Sequence, residues 1–303
     1  MKSYSVMTKN ELSKKVNENN CCDFAEFAGM LLFGSDFKNN KIQFVTENED
    51  VLLRYVFLAK KCGVETVERK TSAKTVRFVS TINNIDDISE KLELIDNSTN
   101  LIRYRISSFL IDRDCCRRAF VRGAFMGGGT VIDPNKNYNI EIITPYLGLC
   151  NDIMELLKNE GFDFKTVVRR SKYVIYTKKS EEIEDFLTYM GAFSAQMNLI
   201  NVKIEKEVRN SYNRTINGVN ANYDKTIQAS VLQIQAINTI KENGKTDMLS
   251  PELQEICDLR VKYKDLSLAD LGKLLDPPLG KSGVNHRLKK IMELAEKIDK
   301  GEL

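Results

Sequence analysis

The side chains able to do chemistry in this sequence are few, and their spacing restricts the chemistry. Seven cysteines stand at positions 21, 22, 62, 115, 116, 150 and 257. The number is odd and no Cys-x-x-Cys occurs, so reduced thiols are expected rather than a disulfide framework. Cys21-Cys22 and Cys115-Cys116 are able to bring four thiols together. Vicinal cysteines are poor zinc ligands, however, so small buried side chains are their expected role, and neither metal nor cofactor is expected. A single histidine, His286, removes most zinc-enzyme and Ser-His-Asp readings. Gly127-Gly128-Gly129-Thr130 lacks the Lys-Ser/Thr of a phosphate-binding loop and reads as a helix-end turn.

The strongest binding signal lies near the end of the chain. From Lys281 to Lys290 there are four Lys/Arg and no acid. Lys281, Ser282, Asn285, His286, Arg287, Lys289 and Lys290 are the candidate DNA-binding residues. Asn and Arg read adenine and guanine edges in pairs of hydrogen bonds, and Lys serves phosphates.

The elements that must position them follow from caps and periodicity. Ser250-Pro251 predicts a helix start, with Leu253, Ile256, Cys257 and Val261 on one face. Ser267 and Asp270 form a capping box opening a short helix through Leu275, which Asp276-Pro277-Pro278 stops. A last helix begins near Ser282 with Val284, Leu288, Ile291 and Ala295 inward. Three helices in this order make a helix-turn-helix domain, expected over residues 246–303.

The rest of the chain carries an internal repeat. Cys21 and Cys115 stand 94 residues apart, as do the mid-helix glycines Gly29 and Gly123. Glycine costs ~1 kcal/mol in a helix, so the matched pair predicts two helices in very close contact. At a spacing of 98, Ile42-Gln43-Phe44 matches Ile140-Glu141-Ile142, Thr46 matches Thr144 and Gly63 matches Gly161. Val76-Arg77-Phe78-Val79 is matched to Val174-Ile175-Tyr176-Thr177. Turns are expected at Lys38-Asn39-Asn40 and Asp133-Pro134-Asn135, second helices over Val51–Lys61 and Leu149–Asn159 stopped by Gly63 and Gly161, and closing helices over Asp86–Ile95 and Glu181–Met190. The predicted fold class is α+β: two αββαββα repeats, about 20–96 and 114–192, in a pseudo-two-fold domain of residues 1–192, followed by an all-α domain.

A polar helical stretch, 193–245, connects them. Its run Arg209-Asn210-Ser211-Tyr212-Asn213-Arg214 has two open readings, a DNA contact through Arg209, Asn210, Asn213 and Arg214, or a plain linker helix. The run Arg103, Arg105, Arg113, Arg117, Arg118 and Arg122 likewise reads as a surface for DNA or a protein, or as a solvated face.

Phe27-Ala28-Gly29-Met30-Leu31-Leu32-Phe33-Gly34-Ser35 and Val121-Arg122-Gly123-Ala124-Phe125-Met126-Gly127-Gly128-Gly129 resemble the LAGLIDADG signature of homing endonucleases. In that family two motif helices pack at the pseudo-dyad, and an acid at the eighth motif position holds a divalent metal. Gly34 and Gly128 occupy that position here. Phosphodiester cleavage of this kind needs carboxylates to hold the metals, so the resemblance implies a domain without catalytic residues. Displaced acids, Asp36 and Asp133, are the endonuclease alternative. Cys115–Phe125 together with Leu275-Asp276-Pro277-Pro278-Leu279-Gly280-Lys281-Ser282-Gly283-Val284-Asn285-His286-Arg287 resemble the WhiA family of Gram-positive bacteria. That resemblance implies a non-enzymatic, sequence-specific regulator of double-stranded DNA in cell division, chromosome segregation or sporulation. A second transcription factor or a division protein is the implied protein partner. A pure protein-interaction module is the third reading.

The 303 residues are 42% hydrophobic and 29% charged, ordinary for a globular chain with a real core. No run approaches the ~20 apolar residues of a spanning helix, and no secretory leader is visible, so a cytoplasmic protein is expected, nucleoid-associated as the resemblance to a DNA-binding family implies. With 45 Lys+Arg against 42 Asp+Glu, the net charge of +3 neither requires nor excludes nucleic acid.

Overall fold

The computed structural model describes residues 3–38, 41–72, 76–83, 86–94 and 102–302. Two compact units, Met1–Lys206 and Glu207–Leu303, divide the chain.

The first unit opens with α1 (Tyr4–Ser13) and then runs twice through one pattern. The first copy is α2 (Asn20–Gly34), β1 (Ser35–Lys38), β2 (Lys41–Thr46), α3 (Glu49–Lys61), β3 (Val67–Ser72), β4 (Val76–Ile82) and α4 (Asp86–Ser89). The second is α5 (Asp114–Gly128), β5 (Gly129–Val131), β6 (Ile140–Thr144), α6 (Leu147–Asn159), β7 (Lys165–Arg169), β8 (Lys172–Thr177) and α7 (Ser180–Met190). Each copy forms one antiparallel sheet, ordered β1-β2-β4-β3 and β5-β6-β8-β7. This is the mixed α/β, two-sheet architecture expected from the repeat. The matched threonines have one job. Thr46 Oγ1 accepts from Asn48 N at 3.1 Å and Thr144 Oγ1 from Tyr146 N at 3.2 Å, each closing the turn from strand into helix. Gly63 and Gly161 follow α3 and α6 at φ +70° and +89°, where a side chain would be strained. Asn39, Asn40 and Ile95 lie outside the described residues.

The motif helices α2 and α5 form the centre. Ala25, Phe27, Ala28, Met30, Leu31 and Leu32 of α2 are all buried, as are Ala119, Phe120, Val121, Ala124, Phe125 and Met126 of α5. A helix apolar around most of its circumference belongs in a core. Gly29 and Gly123 set the closeness of the pair. A Cβ on Gly29 would stand 2.2 Å from Phe120 O, and one on Gly123 would stand 2.0 Å from Glu26 O. The two backbones touch where the sequence spacing placed the contact.

One match in the repeat is corrected. Val45 pairs with Val79 in the first sheet and Ile143 with Val174 in the second, so Val79, not Val76, is the counterpart of Val174. The cause is hairpin length. Arg169 pairs with Lys172 across Arg170 and Ser171, both at positive φ, a two-residue turn of the kind that suits strand twist. The first hairpin carries one more pair, Ser72 with Val76, before its connection. A three-residue slip exchanges strand faces, so the apparent match in sequence had the wrong residues inward. The closing helix of the first copy is also shorter than expected, ending at Ser89.

Helix α1 was not expected at all. Its buried residues are Tyr4, Thr8, Leu12 and Ser13, three of them hydroxyl-bearing, so hydropathy gives little sign of it. Tyr4 donates to Ala195 O at 2.6 Å, and Glu11 accepts from Ser194 N and Ala195 N at 2.6 and 3.0 Å. Lys9 Nζ donates to Met126 O at 3.0 Å; burial lowers its pKa to about 8.

Helix α8 (Phe193–Glu242) runs through the unit boundary. The second unit adds α9 (Pro251–Lys262), α10 (Leu268–Lys273) and α11 (Lys281–Asp299). Its core joins Ile256, Cys257, Leu271, Leu275, Val284, Leu288 and Ile291 to Ile237 and Ile240 of α8. The expected start at residue 246 therefore cuts through this core, and the expected linker is divided. Ser230 Oγ donates to Lys264 O at 2.6 Å, tying α8 to the end of α9.

Candidate nucleic-acid interface

Helix α11 presents the candidate face. Val284, Leu288, Ile291 and Ala295 are buried on one side. Lys281, Ser282, Asn285, His286, Lys289 and Lys290 are exposed on the other, and the next acid along the helix is Glu293. Lys281 and Ser282 stand in the first turn after the N-cap Gly280, with Asn285 and His286 one turn on. Arg287 differs from expectation. It is half-buried, its Nη1 donates to Glu252 O at 3.4 Å and its Nη2 lies 4.0 Å from Glu252 Oε2. It ties α11 back to α9 and does not belong to the outer face. Lys289 is 4.0 Å from Glu293, a loose surface pair that leaves its ammonium available.

The elements that aim α11 are locally determined. Ser267 accepts from Asp270 N at 3.2 Å and donates to Asp270 Oδ2 at 2.7 Å, so the expected capping box is formed. Ser250 holds the N-cap position of α9 with Pro251 next, although its side chain makes no cap bond. Between α10 and α11, Leu279 N donates to Gly272 O at 2.9 Å, and a Cβ on Gly272 would meet Leu279 O at 2.0 Å. Only glycine permits that turn, a requirement the sequence reading missed. Arg209, Asn210, Asn213 and Arg214 are all exposed, within a stretch from 207 to 225 in which no residue of α8 is buried.

The motif ends are closed to acids. A Cβ on Gly34 would lie 2.4 Å from Phe44 Cε2 and 2.9 Å from Gly127 Cα. One on Gly128 would lie 2.7 Å from Ile143 O and 2.8 Å from Phe33 O. Asp36 is exposed on β1. Asp133 accepts from Asn135 N at 2.9 Å and Nδ2 at 3.0 Å, bonds that hold its carboxyl below the usual range and commit it to the turn. Among the described residues neither acid falls in a group able to hold a metal. The cysteines do: the Sγ atoms of Cys21, Cys22, Cys115 and Cys116 all lie within 4.8 Å of one another. Packing explains Cys22 and Cys116, which are buried, but not Cys115, which is exposed.

Comparison with known proteins gives the family. The chain is 37% identical over 313 residues to the "Probable cell division protein WhiA" of Alkaliphilus metalliredigens, covering 97% of this chain and 98% of that protein. It is 39% identical over 312 residues to the protein of the same name from Thermoanaerobacter pseudethanolicus, covering 98% of each. This chain belongs to the WhiA family. The family's LAGLIDADG-like domain matches residues 117–209 and its C-terminal HTH domain residues 212–295. The full-length DUF199/WhiA crystal structure from Thermatoga maritima shares the fold, with a TM-score of 0.61 over 98% of this chain and 99% of that one at 23% identity. A crystal structure of the N-terminal LAGLIDADG domain of DUF199/WhiA aligns over 63% of this chain and 94% of its own at 18% identity, with a TM-score of 0.50.

In this WhiA-family chain three of the six arginines of the run, Arg105, Arg117 and Arg122, are held by ion pairs, while Arg103, Arg113 and Arg118 are exposed. Arg105 pairs with Asp152 at 2.6 Å, and Arg117 pairs with Asp114 and, at 2.6 Å, with Glu160. Arg122 is buried and pairs with Glu26 at 2.7 Å, where Arg54 also binds at 2.7 Å and Asn17 Nδ2 donates at 2.8 Å. This buried network was not foreseen. Its sequence signal is an acid, Glu26, the one charged residue between Phe24 and Gly34 of the motif helix.

Proposed function

We propose that this chain is a non-enzymatic, sequence-specific DNA-binding regulator of cell division, acting on double-stranded DNA in the cytoplasm as a nucleoid-associated protein. Roles in sporulation and chromosome segregation extend the same reading. The observation that carries it is the outer face of α11: an unbroken set of basic and amide side chains, free of acids from Lys281 to Met292, opposite a buried apolar stripe. A helix presented in this way fits a major groove, with residues near its N-terminus meeting base edges. The names of the relatives support the cell-division context.

Two kinds of contact separate in a salt titration on specific and scrambled duplexes. Asn285→Ala is expected to lose ~1–3 kcal/mol on the specific site and far less on scrambled DNA. Lys289→Ala or Lys290→Ala is expected to weaken both alike and reduce the salt slope by about one unit. Equal losses for Asn285→Ala on the two duplexes exclude base reading by that residue, and wild-type behaviour in all three variants removes α11 from the interface.

The motif domain is proposed to serve as a scaffold without nuclease activity, since Gly34 and Gly128 have no room for a carboxylate. Plasmid incubated with magnesium or manganese should stay intact at high protein concentration. Metal-dependent double-strand breaks abolished by Asp36→Asn or Asp133→Asn overturn that reading.

A further inference from the structure

We propose that Cys21, Cys22, Cys115 and Cys116 form a mononuclear, all-thiolate site for a soft divalent cation of the zinc class, clamping together the N-terminal ends of the two motif helices.

The geometry comes from the repeat. Each vicinal pair sits in the first turn of its helix, α2 or α5, its second cysteine seven residues before the glycine at which the helices touch. Seven residues is close to two helical turns, so Cys22 lies on the same face as Gly29, and Cys116 on the same face as Gly123. The close approach set by the glycines therefore carries the cysteine pairs together as well. Vicinal cysteines are poor ligands where their side chains diverge, but here all four Sγ atoms converge, so each pair spans one edge of a tetrahedron. Zn–S bonds of ~2.3 Å place tetrahedral sulfurs roughly 3.8 Å apart. The four Sγ atoms lie within 4.8 Å of one another, so small χ1 rotations complete the site. An iron–sulfur cluster spreads its thiolates wider than a single ion does, and this spacing favours the single ion.

The surroundings suit bound thiolates. The positive ends of two helix dipoles meet at the cluster. Neither N-cap side chain, Asn19 nor Arg113, bonds back to its own first turn; Cys22 N and Asp23 N donate to Asn19 O, so the N–H groups ahead of them are the ones left to face sulfur. A cleft lined by Lys15, Asn17, Cys22, Cys115 and Arg118 leads to the cluster, and the exposed Cys115 gives an entering ion its first ligand. Burial of Cys22 and Cys116 then shields the completed site from water.

The test uses the full chain, reduced and stripped with a chelator, then titrated with cobalt(II). The expected result is the absorption of tetrahedral cobalt thiolate saturating at one equivalent and bleached by zinc(II). Zinc should also raise the unfolding temperature by several degrees. The double variant Cys21→Ser/Cys115→Ser changes the two cysteines that solvent reaches, and should melt like metal-free wild type while losing both the spectrum and the zinc response. Should that variant fail to fold, Cys115→Ser alone is expected to bind cobalt at least tenfold more weakly with an altered spectrum. Absence of the spectrum in reduced wild type overturns the proposal. So does an unchanged spectrum in either variant, which places the ion elsewhere, or reversible pairing into disulfides with no metal uptake after reduction.

Discussion

Glu26→Gln is expected to cost about 3–5 kcal/mol of stability, measured by urea denaturation of the full chain. Glu26 is completely buried, and its carboxylate accepts from Arg54 Nε at 2.7 Å and Nη2 at 3.1 Å, from Arg122 Nε at 3.0 Å and Nη2 at 2.7 Å, and from Asn17 at 2.8 Å. Both arginines are themselves buried. Neutralising the acid leaves two guanidinium charges in the interior with one amide between them, and an uncompensated buried charge is what makes such losses large. The amide keeps the shape, so the loss reports charge rather than packing. The triple change Glu26→Leu, Arg54→Met and Arg122→Met should recover most of it, because a buried ion network replaced whole by apolar side chains is often neutral. A loss below 1 kcal/mol for Glu26→Gln would mean that water reaches these groups and the network is not buried.

Gly123→Ala is expected to destabilise the first unit by about 3 kcal/mol or more. The new Cβ would stand 2.0 Å from Glu26 O and 3.0 Å from Met30 N, both backbone atoms that cannot rotate away. Overpacking of a tight core costs typically 1–3 kcal/mol, and a contact with main chain on both sides belongs at the upper end. Gly29→Ala meets Phe120 O at 2.2 Å and should behave alike. The sign makes the experiment decisive. Intrinsic propensity alone favours alanine in a helix by ~1 kcal/mol, which is the expected direction for Gly218→Ala in α8, where nothing lies within 4 Å. Wild-type stability in Gly123→Ala and Gly29→Ala would mean that the motif helices are not in backbone contact.

Features imposed by backbone geometry were the most legible in the sequence. A helix contact that admits no side chain requires glycine on both partners, so the spacing of Gly29 and Gly123 carried the centre of the fold. The outer face of α11 was legible because a single helix shows both its buried stripe and its basic side. Strand β4 was misregistered because valine-rich strands resemble one another at several offsets, and only the hairpin length decides among them. Among the arginines whose reading was left open, the pairing of Arg105, Arg117 and Arg122 was illegible for a different reason. Charge is visible in a sequence, but a partner distant along the chain is not. Arg122 finds Glu26 on the facing helix, and Arg105 finds Asp152 on α6. The pseudo-symmetry itself gave no guidance there: Asp152 stands at the position matching Arg54, and its charge is opposite. The meeting of the four cysteines was legible from the repeat, but the exposure of Cys115, which a packing role does not explain, depends on how the two helix ends converge.

The two closed places at the ends of α2 and α5 have a consequence for substitution. An acid lost from an open site is regained by one substitution. Here neighbouring atoms, most of them main chain, occupy the volume an acid would need: Phe33 O and Ile143 O flank Gly128, while Gly127 and the Phe44 ring flank Gly34. A carboxylate restored at either position must first push a helix or a strand aside, and an intermediate carrying only one of them bears that strain with no metal site to show for it. Packing around the two glycines, more than their identity, is thus what keeps acids out of the motif ends.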